Sequence, residues 1–473
     1  MDAPVESVLA AEKTAAPDRP EPHDVLGEAG ADVPVDPYGL GSGRLRQIVA
    51  YGRKVYDLKD QLDGIKDARR DPRTSAGLVA AAIFFCGLLR IRSFNALEPR
   101  LRELPFLHLV DALPSVAKLC SVDTLSRALR VMDHGTIFRF VENIVSKAER
   151  NKVFREGWHG ALRYVAIDGW EPISSYYRHC SHCLVRHVKQ KQRDGTIIEV
   201  EQYYHRYVVA MLIDSRFDLA LAIEPLLPNA LREPGSAKDG EDEGELTAAI
   251  RLLRRVKKTY PWVDVVVGDG LYSNGVFLSV TKELGMGAIV VARKEGDEPL
   301  KEALSLWRHQ PPHEVVVDND ARERIELWDC PGLETLDTYD GPIRVVRGRV
   351  TDLDLEEKPA STWCVLVTGC ATRLSPRKAI AAARGRWHIE NTGFHQWTTR
   401  WRFDHVFVHD GQGLLALYGL FFAAYNLLTL FLYRQLRSYG RDRGKDVTRT
   451  ISRLIDEMLD DLARLVRSPW NSS

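Results

Sequence analysis

The sequence lacks several features that would assign it to a familiar class of protein. It has only 7 cysteines in 473 residues, too few and too scattered for the disulfide framework of a small secreted protein. It contains no GxxxxGK[ST] phosphate-binding motif and no internal repeat. Its first residues are acidic and rich in alanine, so no secretory signal is predicted. These absences favour a cytosolic protein with reduced thiols.

The formal net charge of zero conceals an uneven distribution of charge. Residues 1–43 contain nine acidic and two basic residues, and this composition predicts a disordered acidic tail. Residues 44–473 carry 63 basic and 56 acidic residues, a net charge of +7. A mildly basic body is compatible with a nucleic-acid partner but does not require one.

Long uncharged segments are scarce, and only one is long enough to cross a bilayer. Residues 413–433 contain no charged side chain over 21 positions. Asn426 and Thr429 interrupt the run, it would be the single spanning segment, and charged sequence flanks it. We therefore interpret it as a helix buried in a large core and predict no membrane partner, with a membrane anchor as the alternative.

The order of predicted elements divides the chain into regions. Residues 44–150 are predicted to be mainly helical, with a basic flank that either binds DNA or is a solvated face. Short strands rich in Val, Ile and aromatic residues alternate with helices over 160–410, which predicts an α/β fold. A polar, strand-rich segment at about 295–360 is interpreted as a β-rich insertion, and residues 411–473 as C-terminal helices.

Three carboxylates are distinguished by the elements in which they lie. Asp168 in YVAIDGW and Asp269 in VVVGDGLY each follow a run typical of a strand, and Glu390 in RGRWHIEN lies in a predicted helix. Carboxylates at the ends of neighbouring strands face a shared crevice, and a helix can bring in a third. Such a trio can hold two Mg²⁺ ions about 3.5–4 Å apart for phosphoryl transfer. For any single acid, a solvated surface carboxylate is the commoner role.

The order strand–Asp, strand–Asp, helix–Glu and the predicted β-β-β-α-β-α-β succession are those of the ribonuclease H-like fold. With these residues the chain resembles an insertion-sequence transposase of the DDE type, in the branch with a β-rich insertion before the last acid. Around the glutamate, that family has a Tyr, an Arg three residues later, the Glu four residues after that and a Lys seven further on. Arg386 and Glu390 match, whereas Ala383 and Trp397 occupy the Tyr and Lys positions. The resemblance covers about 120–435.

The resemblance implies a ribonuclease H-like catalytic core with helical N-terminal and C-terminal regions. It implies that Asp168, Asp269 and Glu390 hold two Mg²⁺ ions, for which Mn²⁺ would substitute. The implied reaction nicks the transposon ends and joins the freed 3′-hydroxyl to target DNA. Because two ends must be paired, it also implies at least a homodimer on DNA, in a bacterial-type cytosol and associated with the nucleoid.

Basic and aromatic side chains near these acids are candidates for DNA contact. Arg386 lies one helical turn before Glu390 and would bind a phosphate. The alternative is that Arg386 forms a simple ion pair with Glu390. Trp397 and Arg400 suit base stacking and phosphate contact, although tryptophan at helical spacing is more often core. The remaining candidates lie in a predicted hairpin and on the basic helix RLLRRVKK: Lys189, Lys191, Arg254, Arg255 and Lys258.

The segment HCSHC contains a CxxC pair, Cys180 and Cys183. A Zn²⁺ site needs four ligands, and a CxxC pair supplies two. His187 and His205 would complete the set if the intervening hairpin folds back. A pair of reduced cysteines on a strand or turn is the alternative, so the sequence leaves a structural Zn²⁺ site open.

Three alternatives to a transposase also stay open from the sequence. A metal-dependent nuclease of the same fold would hydrolyse DNA without joining strands. A catalytically inactive derivative would bind DNA without cutting it, and a membrane-anchored protein would use residues 413–433. Strand-joining products, metal affinity and cell fractionation distinguish these alternatives.

Overall fold

The structure is a computed structural model that describes most of the chain. The predicted acidic tail, residues 1–43, lies outside the described residues except for its last residue. The described residues are 43–112, 117–154, 162–193, 195–213, 217–232, 241–293, 296–354, 359–436, 446–465 and 470.

A mixed sheet of ten strands runs through the described part of the protein. The strands, in chain order, are β1 Tyr164–Ser175, β2 Leu184–Lys191, β3 Ile197–Ile213, β4 Asp218–Pro225, β5 Val265–Gly268, β6 Gly287–Val291, β7 Glu314–Asp318, β8 Glu323–Leu333, β9 Ile343–Asp352 and β10 Ser361–Thr368. Their spatial order is β2-β3-β1-β5-β6-β10-β9-β8-β7, and β4 pairs with the C-terminal half of β3.

Helices pack on this sheet and on one another. Within the described residues, seven α-helices precede the sheet: α1 Arg44–Tyr56, α2 Leu58–Asp63, α3 Ala76–Leu88, α4 Phe94–Leu97, α5 Leu104–Leu109, α6 Val122–Leu129 and α7 His134–Arg150. Seven more lie between its strands or follow them: α8 Glu245–Thr259, α9 Gly275–Glu283, α10 Glu298–Trp307, α11 Pro376–Gly385, α12 His395–Thr399, α13 Gly411–Leu430 and α14 Asp446–Ala463. The mixed α/β class predicted from the sequence is confirmed.

The centre of the sheet combines antiparallel and parallel pairing. Strand β1 is antiparallel to β3, and β3 is antiparallel to β4. Strand β5 is parallel to β1, and β6 is parallel to β5; α8 connects β4 to β5, and α9 connects β5 to β6. Val265, Val266 and Val267 of β5 are fully buried, as expected for a strand covered on both faces.

The segment predicted as a β-rich insertion, residues 295–360, contains one helix as well as strands. The helix is α10, and the strands are β7, β8 and β9. These strands extend the main sheet, because β9 pairs with β10 and β10 pairs with β6. Arg384 on α11 donates two hydrogen bonds of 2.8 Å to the Glu323 carboxylate on β8, which ties this extension to α11.

The uncharged segment at 413–433 forms most of a helix that is buried inside the protein. The helical run Gly411–Gln435 is long and apolar enough to cross a membrane, but 94% of its most apolar stretch is buried. The N-terminal helices α3 and α7 and the strand β4 all pack on α13. This packing favours the interpretation as a core helix.

Asn426 is the polar exception within α13, and its amide is fully buried. Its Oδ1 accepts a hydrogen bond of 2.9 Å from the Ala220 amide, and its Nδ2 donates one of 2.8 Å to the Ala220 carbonyl. The side chain therefore supplies the hydrogen bonds that a further strand would give to β4. The hydrogen bonds of Asn426 to β4 thus explain why a polar residue lies in this apolar helix.

We expect Asn426→Leu to lower the free energy of unfolding by about 2–4 kcal/mol, because two buried backbone groups of Ala220 would lose their partners. Urea unfolding followed by tryptophan fluorescence measures this loss. The matched control is Thr429→Val on the same helix, whose effect we expect to stay within about 1 kcal/mol. Equal effects of the two substitutions would contradict the proposed role of Asn426.

Candidate active site

Strand pairing brings Asp168 and Asp269 side by side. Strands β1 and β5 are parallel, and Ala166 of β1 lies opposite Val267 of β5. Two residues further along the chain in each case lie Asp168, inside β1, and Asp269, directly after β5. The Asp269 carboxylate caps a short 3₁₀ turn by accepting a hydrogen bond of 2.9 Å from the Leu271 amide. Both acids therefore lie at the carboxyl edge of the parallel strands, where clefts of α/β sheets form.

Glu390 reaches the same edge from a segment of unusual helical geometry. Residues Ile389–Phe394 form a π-helical turn between α11 and α12. Such turns are rare, and they are frequent at functional sites. Phe394 stacks on Trp170 of β1 with ring centroids 5.8 Å apart and an interplanar angle of 13°. Because Trp170 lies two residues beyond Asp168, this packing holds the Glu390 segment against the strand that carries Asp168.

A guanidinium group lies between two of the three acids. Nη1 of Arg386 is 2.8 Å from Oδ2 of Asp168 and 2.5 Å from Oε1 of Glu390. The side chains of Arg386 and Asp168 are 9% and 14% exposed, so the ion pair between them is shielded from solvent screening, whereas Glu390 is 41% exposed. The ion pair with Glu390, an alternative considered from the sequence, is therefore observed, and it also includes Asp168.

The environment of Asp168 disfavours the ionised form of its carboxyl group. The pKa of the Asp168 carboxyl is raised to about 8, chiefly because burial removes it from water, while Arg386 acts in the opposite direction. The carboxylates of Glu390 and Asp269 raise the pKa further. Asp168 and Glu390 thus contact one buried guanidinium, and Asp269 interacts with it electrostatically from further away.

Glu245 is a fourth carboxylate at this edge, and sequence reasoning missed it. It begins α8 and accepts hydrogen bonds from the Tyr272 hydroxyl at 2.9 Å and from Nη2 of Arg206 at 2.5 Å. A Cβ atom at Gly169 would lie 2.2 Å from the Glu245 carboxylate, so a larger residue after Asp168 would displace this carboxylate from its present position. The only sequence signal of Glu245 is an acid at a helix start, which is common in proteins.

Comparison with known proteins agrees with this geometry. Residues 236–427 match the family described as "Transposase DDE domain". The chain therefore carries a DDE transposase domain of the insertion-sequence type. The matched residues include Asp269 and Glu390 but not Asp168, whose place in the site comes from its pairing with the β5 strand. No curated protein matches the sequence.

The prediction that Trp397 of the transposase contacts DNA is wrong, because its side chain is fully buried. Its ring packs against Trp170, Phe403 and Phe422, with centroid distances of 5.6, 5.6 and 4.7 Å. The indole therefore belongs to the aromatic cluster that anchors the Glu390 segment. Helical spacing alone could not distinguish such a core role from base stacking.

Two predicted DNA-binding arginines of the transposase make contacts within the protein. Arg386 bridges Asp168 and Glu390, as described above. Arg255 of α8 lies 3.0 Å from the Glu224 carboxylate and donates a hydrogen bond to the Ile223 carbonyl, so it fastens α8 to β4. The guanidinium groups of both arginines therefore make contacts within the protein.

The other predicted DNA contacts of the transposase are exposed. Arg254 and Lys258 lie on the solvent face of α8, and Arg400 follows α12. Lys189 and Lys191 lie on the exposed part of the β2–β3 hairpin. Lys189 lies opposite Glu199 of β3, whereas Lys191 lies opposite Ile197. These positions are compatible with phosphate contact.

The CxxC pair of the transposase lies in a cluster of four metal-ligating side chains. Cys180, Cys183, His205 and His409 have ligand atoms that all lie within 4.8 Å of one another. His187, a candidate from the sequence, is exposed on β2, and His409 replaces it. The pKa of the Cys180 thiol is lowered, chiefly because Cys183 donates a hydrogen bond to its sulfur. No sequence signal marked His409, which is 226 residues from Cys183.

We expect the stability of the transposase to depend on pH through Asp168. Between about pH 4 and pH 8 the folded state keeps a proton on this carboxyl that the unfolded state has released, so the free energy of unfolding falls as the pH rises. The slope is up to about 1.4 kcal/mol per pH unit. Asp168→Asn removes this contribution, so the variant should become progressively more stable than wild type towards pH 8.

Urea unfolding at several pH values, without added Mg²⁺, measures the difference between wild type and Asp168→Asn. Asp340→Asn is the matched control, because Asp340 is fully exposed. We expect the control to follow the wild-type curve. A constant difference between wild type and Asp168→Asn across this pH range would contradict the raised pKa.

Proposed function

We propose that this transposase cleaves DNA at transposon ends and joins them to target DNA, with Asp168, Asp269 and Glu390 holding two Mg²⁺ ions. The observation that carries the proposal is the parallel pairing of β1 with β5, which aligns Asp168 with Asp269, together with the contact of Asp168 and Glu390 with Arg386. The order β4-β3-β1-β5-β6, with the first three strands antiparallel, supports a ribonuclease H-like core.

The residues present fit Mg²⁺. All three acids offer carboxylate oxygens, the hard ligands that Mg²⁺ prefers, and no thiol or imidazole ligand accompanies them in the proposed set. Burial raises the pKa of Asp168 most, the carboxylates of Glu390 and Asp269 raise it further, and a bound cation would act in the opposite direction. Bound Mg²⁺ would supply Lewis-acid activation of the attacking oxygen and stabilisation of the leaving oxygen. Mn²⁺ has similar ligand preferences and would substitute.

The proposed reaction has two steps, and in each step one phosphorus–oxygen bond forms while another breaks. In cleavage, a water oxygen bonds to the phosphorus at the transposon end, and the bond from phosphorus to the 3′-oxygen breaks, leaving a 3′-hydroxyl. In joining, that 3′-hydroxyl oxygen bonds to a target phosphorus and displaces the 3′-oxygen of the target strand. Each displaced oxygen takes up a proton and each attacking oxygen loses one, so neither step requires ATP or a covalent protein–DNA intermediate.

Residues of the chain prepare the site for this chemistry. Arg386 balances the charge of Asp168 and Glu390 and so keeps the two carboxylates close together. Tyr272 and Arg206 hold the Glu245 carboxylate beside Gly169, the residue that follows Asp168. The aromatic contact between Trp170 and Phe394 holds the π-helical turn in position. Productive geometry of this kind depends on such supporting contacts.

The DNA partner follows from the family, and the mode of contact is part of the proposal. We propose that Lys191 and Lys189 on the hairpin, Arg254 and Lys258 on α8, and Arg400 contact phosphates. Since transposition pairs two ends, we propose at least a homodimer on DNA. We also propose that the protein acts in the bacterial-type cytosol, in association with the nucleoid.

A donor plasmid that carries a marker between the DNA flanks of this gene tests the reaction. We expect joined products with wild type, and a loss of about a hundredfold or more with Asp269→Ala or Glu390→Ala, because metal ligands supply several kcal/mol of transition-state stabilisation. Asp340→Ala, at a fully exposed acid, serves as the control and should retain activity.

The products separate the proposed reaction from its alternatives. Cleavage without joining by wild type would favour a nuclease, and binding without cleavage would favour an inactive derivative. Equal products from wild type and both acid variants would show that these acids are not the metal ligands. Circular dichroism of each purified variant checks that a loss of activity does not come from unfolding.

The hairpin contact predicts a graded change in salt dependence. We expect Lys191→Ala to lower the slope of log affinity against log salt concentration by about 1, as one phosphate contact is lost. Lys189→Ala should have a smaller effect, because Glu199 lies opposite Lys189 and offsets part of its charge. Fluorescence anisotropy with a short DNA duplex of arbitrary sequence measures both slopes.

Lys301→Ala is the matched control for the hairpin experiment. Lys301 is exposed on α10 and pairs with Glu298 at 2.5 Å, so its removal should leave the slope unchanged. Equal slopes for wild type and Lys191→Ala would exclude the hairpin from the phosphate contacts.

A further inference from the structure

Four metal-ligating side chains from three separate parts of the chain converge at one point. The turn between β1 and β2 supplies Cys180 and Cys183, and β3 supplies His205. His409 comes from the segment immediately before α13. These four are the one group of three or more His, Cys, Asp or Glu ligands in the described residues whose ligand atoms lie so close together.

The distances between the ligand atoms match a tetrahedral Zn²⁺ site. Sγ of Cys183 is 3.8 Å from Sγ of Cys180, and it is 3.4 Å from Nε2 of both His205 and His409. Sγ of Cys180 is 3.5 Å from Nε2 of His205. Zinc bonds of about 2.3 Å to sulfur and about 2.0–2.1 Å to nitrogen predict edges of about 3.8 Å for S–S and about 3.6 Å for S–N.

The local backbone also has the form that a metal-binding turn requires. The Cys180 amide donates a hydrogen bond of 3.3 Å to Sγ of Cys183, and the Cys183 amide donates one of 3.1 Å to the Cys180 carbonyl. The two sulfur atoms are too far apart for a disulfide bond, and both cysteines are free. The turn therefore directs both thiols towards one point, and a backbone amide donates a hydrogen bond to one of the two sulfur atoms.

We infer that Cys180, Cys183, His205 and His409 bind one structural Zn²⁺ that fastens the chain between the Glu390 segment and α13 to the β1–β3 part of the sheet. Two soft thiolates and two imidazoles in a tetrahedron favour Zn²⁺ over the hard cation proposed for the carboxylates. Four protein ligands leave no open position for a substrate, which makes the site structural rather than catalytic.

Packing around the cluster supports this fastening role. Gly411 follows the ligand His409 by two residues, and a Cβ atom there would lie 2.4 Å from Cβ of His182, inside the cysteine turn. Nε2 of Gln412 is 3.1 Å from Nε2 of His182, so a side-chain hydrogen bond joins the same two segments. The start of α13 and the cysteine turn are thus in close contact over several residues.

The number of zinc ions bound by the purified full-length protein tests the inference directly. Elemental analysis of protein produced with added Zn²⁺ and then dialysed should give about one zinc ion per chain. Cys180→Ser and His409→Gln should each lose most of this zinc. His187→Gln is the matched control, because His187 is exposed on the same hairpin outside the cluster, and it should keep the zinc.

Two further measurements cover variants that fail to fold. Cys183→His retains a ligand at the same position and should retain zinc. In wild type, Cys180 and Cys183 should resist alkylation until a chelator removes the metal, as mass spectrometry of the peptides would show. Wild type without bound zinc, or unchanged zinc in Cys180→Ser, would overturn the inference. Zinc content is independent of DNA joining, so this result stands apart from a failure of the proposed reaction.

Discussion

The repulsion between carboxylates is the constraint on which the rest of this structure depends. Asp168, Asp269 and Glu390 gather at one sheet edge, where burial already raises the pKa of Asp168 to about 8. A cluster of buried carboxylates is stable only when positive charge and rigid packing offset the free energy of its desolvation and repulsion. Arg386 supplies the charge, and the surrounding strands and aromatic rings supply the rigidity. A stable protein without this function would avoid the cluster, and enzymes commonly accept such a cost at their active sites.

The rigidity comes from an aromatic cluster that links the strand carrying Asp168 to the segment carrying Glu390. Trp170, two residues beyond Asp168, contacts Phe394 and Trp397 of the segment that carries Glu390. Trp397 in turn packs on Phe422 of the buried helix α13. The helix that resembles a membrane span by composition is therefore the inner support of the candidate site. Its amide at Asn426 also completes the edge of β4, so one helix stabilises both the sheet and the site.

The proposed Zn²⁺ site would add a second attachment to the same architecture. His205 lies on β3, the strand that pairs with β1, and His409 lies between the Glu390 segment and α13. A metal ion there would limit the movement of the chain on the far side of Glu390. The two metal sites would have separate roles, since one uses hard oxygen ligands for chemistry and the other uses sulfur and nitrogen for structure.

Local sequence determined the features that depend on neighbouring residues. The strand runs before Asp168 and Asp269, the helical segment of Glu390 and the CxxC pair were all recognisable, and with them the α/β class and the transposase family. Contacts between distant residues were decided only in the tertiary structure. These contacts each join residues more than 20 positions apart in the sequence. They include the burial of Trp397, the ion pair of Arg386 with Asp168, the contact of Glu245 with the site and the position of His409 beside Cys183. Periodicity specifies which face of a helix a residue occupies, but the partner of that face depends on how the whole chain packs.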